Sequence, residues 1–182
     1  MRETKKTTRS QWLVNAAMIA ALYVVLTFAQ NTLLPGTASM PVQFRVAEVV
    51  TIFALYTSAA IPGLTVGCII ANLSSIAALG AYDLIFGSLA SLCAALAMYA
   101  LRKVRWLRLP IAAALMPALM NGIFVGFELD FFFINAWRFD FFDFLLQGGL
   151  VALGELGVLF VLGLPLSVLM EKRFGRFLKL AG

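Results

Sequence analysis

Seven side chains set the chemistry available to this chain. Glu48, Asn72, Asn121 and Glu155 lie inside apolar runs, and Arg45, Asp83 and Glu128 lie nearer the ends of theirs. Ionisable and amide groups in such surroundings are costly and usually face a ligand site or one another. Carboxylates and amides of this kind bind polar guests; they are not a nucleophile set. The 182 residues include no histidine. That excludes a Ser–His or Cys–His pair and any site needing an imidazole metal ligand. Cys68 and Cys93 both sit in apolar runs and read as packing residues, because a disulfide framework or zinc site needs more ligands at closer spacing. No metal or cofactor is implied. An aspartic-type dyad lacks support, since the buried acids are glutamates on separate segments without a flanking signature. The chain therefore reads as a non-enzyme.

Each polar residue also has a structural reading. Arg45 and Glu48 are three apart and can neutralise each other on one helix face. Asp83 follows Gly80-Ala81-Tyr82 and can cap the helix after it. Asn72 and Asn121 can be interhelical glue. Glu155 has no basic neighbour in its run, so a ligand role suits it best. Pro117, four residues before Asn121, removes a helix hydrogen bond and favours a cavity wall.

These residues must be held by membrane helices. The chain is 62% apolar and 13% charged, with mean hydropathy +0.95, against about 45–50% and about 25% in soluble domains. A span needs about 20 apolar residues. Six segments are predicted in one domain covering 1–182: 12–34, 44–59, 62–79, 84–101, 109–127 and 147–170. The first is too long and uninterrupted for a signal-peptide core. The second is short and carries Arg45 and Glu48, so it is expected to be tilted or partly re-entrant. At about 1.5 Å per residue, Glu48, Asn72, Asn121 and Glu155 fall roughly 10–12 Å below one surface. Four polar groups at one level, without a matching set near the other face, describe a pocket opening to one side.

The basic residues orient the bundle. Arg2, Lys5, Lys6 and Arg9, then Arg102, Lys103, Arg105 and Arg108, then Lys172, Arg173, Arg176 and Lys179 flank the spans on one face. By the positive-inside rule that face is cytoplasmic, with both termini there. Topology and lipid headgroups account for these clusters and for the pI near 9.6 without nucleic acid. The opposite side carries Glu128 and the aromatic-acidic stretch 130–144. That stretch is expected to fold as a surface cap, either anchoring at the interface or offering faces to a planar guest. Small residues recur four apart at Ala16/Ala20, Ala17/Ala21, Gly63/Gly67 and Gly122/Gly126. This spacing lets helices approach closely, and the alanine pairs can also present a flat face to another protein. No GxxxxGK[ST] loop occurs and no inverted repeat is evident. A pocket without an engine implies a partner that has one.

Several stretches resemble a known family: VQFRVAEVVTIFAL (42–55), AAIPGLTVGCIIANL (59–73), YDLIFGSLASLCAAL (82–96), PALMNGIFVGFEL (117–129) and ALGELGVLFVLGLPL (152–166), with AAMIAALYVVLTF (16–28). Together they resemble the QueT family, substrate-binding (S) components of energy-coupling-factor (ECF) vitamin transporters. The resemblance implies an all-α six-helix membrane bundle in the cell membrane. It also implies uptake of a queuosine precursor, a deazaguanine, with a membrane coupling subunit and two cytosolic ATPases as partners. On it, Glu155 takes the donor edge of the base, Asn121 and Asn72 the remaining polar edges, and Glu48 or Glu128 an aminomethyl substituent. Ala16, Ala17, Ala20 and Ala21 form the docking face for the coupling subunit. The rival readings are a solitary proton-coupled transporter using Glu155 and Glu48, and a membrane scaffold with no ligand.

Overall fold

The computed structural model describes residues 8–38, 42–74, 76–106 and 109–181, with the side chains of 77–80 and 174–181 outside the description. Arg2, Lys5, Lys6 and Arg108 therefore lie outside the described residues, as do the side chains of Arg176 and Lys179. The described residues are helical. They form α1 (Arg9–Leu33), a 3-10 helix (Val46–Leu55), α2 (Ala60–Asn72), α3 (Ile76–Ala100), α4 (Ile111–Glu128), α5 (Phe141–Val158) and α6 (Leu164–Ala181). A π-helical turn, Leu129–Ile134, extends α4, and another, Leu159–Gly163, joins α5 to α6.

Four helical stretches are long and apolar enough to cross a bilayer: Arg9–Leu33, Ala81–Ala100, Ile111–Ile134 and Phe141–Arg173. The 3-10 helix and α2 are apolar but shorter. At about 2 Å per residue, the ten-residue 3-10 helix spans only part of a bilayer's hydrocarbon of about 30 Å. It is sheltered by protein instead. It touches every α-helix, and Val50, Ile52, Ala54 and Leu55 are buried in the core with Leu64, Cys68, Ala95 and Met98. Around it, α1 packs on α2, α2 on α3, α3 on α4 and α4 on α5.

Two of these contacts depend on missing side chains. A Cβ on Gly63 would stand 2.7 Å from the Ala16 carbonyl oxygen, and one on Gly67 would stand 3.0 Å from that of Ala20. A Cβ on Gly126 would stand 2.6 Å from the Gly148 Cα. Backbone thus meets backbone between α1 and α2 and between α4 and α5, as small residues at this spacing allow. The first contact corrects part of the alanine expectation. Ala16 and Ala20 are taken up against α2, while Ala17 and Ala21 stay exposed beside Leu13, Val14 and Met18.

Three boundaries differ from the sequence expectation. The break expected at 80–83 lies earlier, around Leu73 and Ser74, where the Ser74 hydroxyl donates to the Ala71 carbonyl (2.7 Å). Asp83 is therefore inside α3, which begins at Ile76, and not at its first turn. α5 starts six residues before 147, at Phe141, because the Asp140 carboxylate accepts the Phe142 and Asp143 amides (2.8 and 3.1 Å), a side-chain N-cap. The stretch 130–144 is consequently two helix ends joined by a short turn, not a separate cap. That turn is fixed by Asp130, whose carboxylate accepts from Asn135 Nδ2 (2.6 Å) and from the Asp140 amide (3.2 Å).

One end of the bundle is tied together by polar contacts. Trp12 Nε1 donates to Ser58 (3.0 Å), Arg105 pairs with Glu171 (2.7 Å), and the Tyr56 hydroxyl lies 3.1 Å from the Ser167 carbonyl. Arg9, Lys103, Lys172 and Arg173 are exposed at or beside these contacts.

Candidate functional site

The chain preceding the 3-10 helix is extended. Arg45 has φ −90° and ψ 93°, so Arg45 and Glu48 do not share an α-helical face. The two do not form the expected direct pair, although Arg45 remains an electrostatic neighbour of Glu48. Arg45 reaches α3 and pairs with Asp83 (3.5 Å). Glu48 accepts a hydrogen bond from the Tyr23 hydroxyl of α1 (2.7 Å).

Arg45, Asn72, Asp83 and Glu128 line one cavity of about 120 Å³, with Tyr23, Gln30, Gln43 and Phe133 among its other walls. One water needs about 10–15 Å³ of such space, so a guest several times that bulk fits. Asn72 is fixed by donating to the Asp83 carbonyl (3.0 Å). Gly87 leaves room for this, since a Cβ there would stand 2.7 Å from Asn72 Nδ2.

The other three sequence candidates form a deeper layer outside the lining of that cavity. Glu48, Asn121 and Glu155 are wholly buried. Asn121 Nδ2 on α4 donates to Glu155 Oε2 on α5 (2.8 Å), a reach permitted by the glycine contact between those helices. Glu48 and Arg45 are the electrostatic neighbours of Glu155. Two residues join the layers: Tyr23 lines the cavity and bonds to Glu48, and Gln43 lines the cavity while its backbone lies against Gly154.

The polar accounting is incomplete in a directed way. Glu48 Oε2, Asn121 Oδ1, Glu128 Oε2, Glu155 Oε1, Gln43 Oε1 and Arg45 Nη1 are buried without a hydrogen-bond partner. An unpaired buried polar atom costs about 1–3 kcal/mol, so six around one region are a reservoir that a guest can satisfy. Five are acceptors and one is a donor. The arrangement suits a molecule with a donor-rich edge and at least one acceptor. Among the described residues no cluster of metal-ligating side chains occurs.

The aromatic stretch contributes one wall. Phe133 lines the cavity, whereas Phe132 stacks on Tyr82 (4.1 Å between centroids, 17° apart) and Trp137 stands edge-on to both (4.9 and 6.1 Å). Most of the rings expected to offer faces to a guest are occupied with each other. Tyr23, Gln30 and Gln43 escaped the sequence reading. Tyr23 looks like an ordinary interior tyrosine, and Gln30 and Gln43 sit at the ends of apolar runs, where amides are common. Gln43 does fall within the VQFR stretch, beside Arg45.

The family profile described as "QueT transporter" matches residues 13–172. A relative named "Queuosine precursor transporter QueT", from Lactococcus lactis subsp. cremoris (strain MG1363), is 34% identical over 90 residues. The match spans about half of each protein, 48% of this chain and 48% of the relative. No solved structure matches. With the profile covering nearly the whole chain, kinship is decided: the chain belongs to the QueT transporter family.

Proposed function

We propose that this chain is the substrate-binding S component of an ECF importer for a queuosine precursor, a deazaguanine derivative. The observation that carries the reading is the set of six buried polar atoms without partners, contributed by the 42–45 segment, the 3-10 helix, α4 and α5. A deazaguanine presents a ring N–H and an exocyclic amine side by side. Glu155 Oε1 and Asn121 Oδ1, adjacent on one hydrogen-bonded pair, accept such an edge. Arg45 Nη1 suits the base carbonyl, and Asn72 another polar edge. Glu48 or Glu128 suits an aminomethyl cation. A site built to pair such groups rejects analogues that leave its own buried atoms unmatched.

In this reading the 3-10 helix and α2 count with the four long stretches as six membrane segments. Both termini lie in the cytoplasm of a cell-membrane protein. Transport energy comes from a membrane coupling subunit and two ATPases, with Ala17 and Ala21 on the exposed face of α1 as docking contacts. The exposed apolar surfaces of α1 and α3 meet lipid.

The test is a calorimetric titration of purified protein with 7-aminomethyl-7-deazaguanine, followed by uptake in proteoliposomes. Binding by the isolated chain, with uptake only when coupling subunit and ATPases are present, is the expected outcome. Uptake by the chain alone under a pH gradient would replace it with the proton-coupled reading, in which Glu48 and Glu155, both wholly buried, carry the protons. Absence of binding would leave a scaffold.

A further inference from the structure

Gln30 is a buried amide near the end of α1, 6% exposed, and its hydrogen bonds all go to the segment that crosses from α1 to the 3-10 helix. Its Oε1 accepts the Val46 amide (2.8 Å), and its Nε2 donates to the Phe44 carbonyl and to Thr37 Oγ1 (3.0 Å). The peptide groups on either side of Arg45 are thus held by one side chain, much as a neighbouring strand would hold them. Thr37 closes the loop, because its carbonyl accepts the Phe44 amide (3.0 Å) and its hydroxyl donates to the Leu34 carbonyl (2.8 Å). On its far side the segment lies against α5, where Gly154 leaves no room for a Cβ beneath the Gln43 backbone.

We propose that Gln30 is a positioning residue for guest binding: it clamps the 42–46 strap so that Arg45 and Gln43 face the site. The inference rests on the site described under Proposed function. Although Gln30 also lines the cavity, its N–H donors are committed to the Phe44 carbonyl of the strap and to Thr37, so it acts through Arg45 and Gln43. A side-chain amide offers an acceptor on one atom and two N–H donors on the other, which is what this pairing uses. The segment has few other ties. Among the described residues these include the Thr37 bond, the Glu48 amide on the Arg45 carbonyl, the Arg45–Asp83 pair and the packing beside Gly154 and Gly157. Without Gln30, the Phe44 carbonyl and Val46 amide lose their partners, and the strap gains them back only by moving toward water.

The experiment uses the purified full chain in nanodiscs with 7-aminomethyl-7-deazaguanine as probe. Gln30→Leu removes both halves of the clamp. Gln30→Glu keeps the shape and the acceptor but sets carboxylate oxygens against the Phe44 carbonyl and the Thr37 hydroxyl. Each is expected to weaken binding roughly 10-fold or more, and to speed amide hydrogen exchange across residues 42–46 of the unliganded protein while exchange within α2 and α4 stays slow. In an Arg45→Gln background, Gln30→Leu should add little, because the two act on one contact. Glu155→Gln separates the two levels of the argument. If Glu155→Gln weakens binding but both Gln30 variants bind normally, or if Gln30→Leu is fully additive with Arg45→Gln, the Gln30 role is overturned and the site stands. If the Glu155, Arg45 and Gln30 variants all bind normally, the site itself is overturned. If exchange rises through α2 and α4 as well, Gln30 is a general stability residue and the positioning role is overturned.

Discussion

Three acids in the site have different partners, and that decides what each can offer. Glu48 spends one oxygen on Tyr23, Glu155 spends one on Asn121, and Asp83 takes Arg45. Glu155→Gln keeps the side-chain shape but replaces one carboxyl oxygen with an amide nitrogen that can only donate. Affinity for the aminomethyl-deazaguanine should fall roughly 10- to 100-fold, measured by titration, with the unliganded protein's melting temperature near wild type. Arg45→Met should behave differently. It takes the guanidinium away from Asp83, whose side chain is 7% exposed, and losing one partner of a buried pair costs about 3–5 kcal/mol. The unliganded protein should therefore melt at lower temperature, and adding Asp83→Asn should recover part of the loss. The seven sequence candidates were legible because charge inside an apolar run is conspicuous. Their pairing was not. The Arg45–Glu48 pair failed because a 3-10 helix with an extended lead-in replaces the expected α-helical face, and backbone conformation of that kind follows from packing, not from the residues themselves.

Helices α1 and α2, and α4 and α5, are positioned by glycines, and their contacts connect packing to binding. A Cβ at Gly67 would stand 3.0 Å from both the Ala20 carbonyl oxygen and the Tyr23 Cβ. Gly67→Ala should push α1 outward and carry Tyr23 away from Glu48. Overpacking of this sort costs about 1–3 kcal/mol, so both thermal stability and ligand affinity should drop in melting and titration assays. Gly149→Ala is the matched control, since nothing lies within 4 Å of a Cβ there; stability should hold or rise. Gly154→Ala is expected to lift the Gln43 backbone and lower affinity more than it lowers the melting temperature. The small-residue spacings were visible in the sequence, but which faces they served was not. Ala16/Ala20 and Ala17/Ala21 are indistinguishable as patterns, and only the placement of α2 buries one pair and leaves the other bare. Likewise Asp140 became a cap because helix α5 begins at Phe141, a boundary hidden by aromatic residues that suit an interface and a helix equally.

For the whole molecule, the basic end and the acidic end make opposite predictions about sidedness. A fluorescent protein fused to the C-terminus should fold and fluoresce inside cells, and an alkaline phosphatase fusion there should stay inactive. The reverse result would invert the bundle and place the cavity on the cytoplasmic side. Ligand that binds only the folded state raises its stability by mass action, about 2.7 kcal/mol at one hundred times Kd. A melting temperature that climbs with aminomethyl-deazaguanine concentration, and is flat with adenine, is the expected signature.

Hydropathy and the run of matching stretches made legible in the sequence a helical chain with segments apolar enough to cross a bilayer, and its family, because bilayer thickness acts on composition directly. The buried acids and amides declared themselves for the same reason. The division of those groups into a cavity wall and a deeper layer came only with the fold. So did the clamp of Gln30 on the strap and the stacking of Tyr82 on Phe132. Hydrogen bonds between residues such as Asn121 and Glu155, 34 positions apart, are set by how closely two backbones approach. That distance depends on every side chain between them and is written in no local segment of the chain.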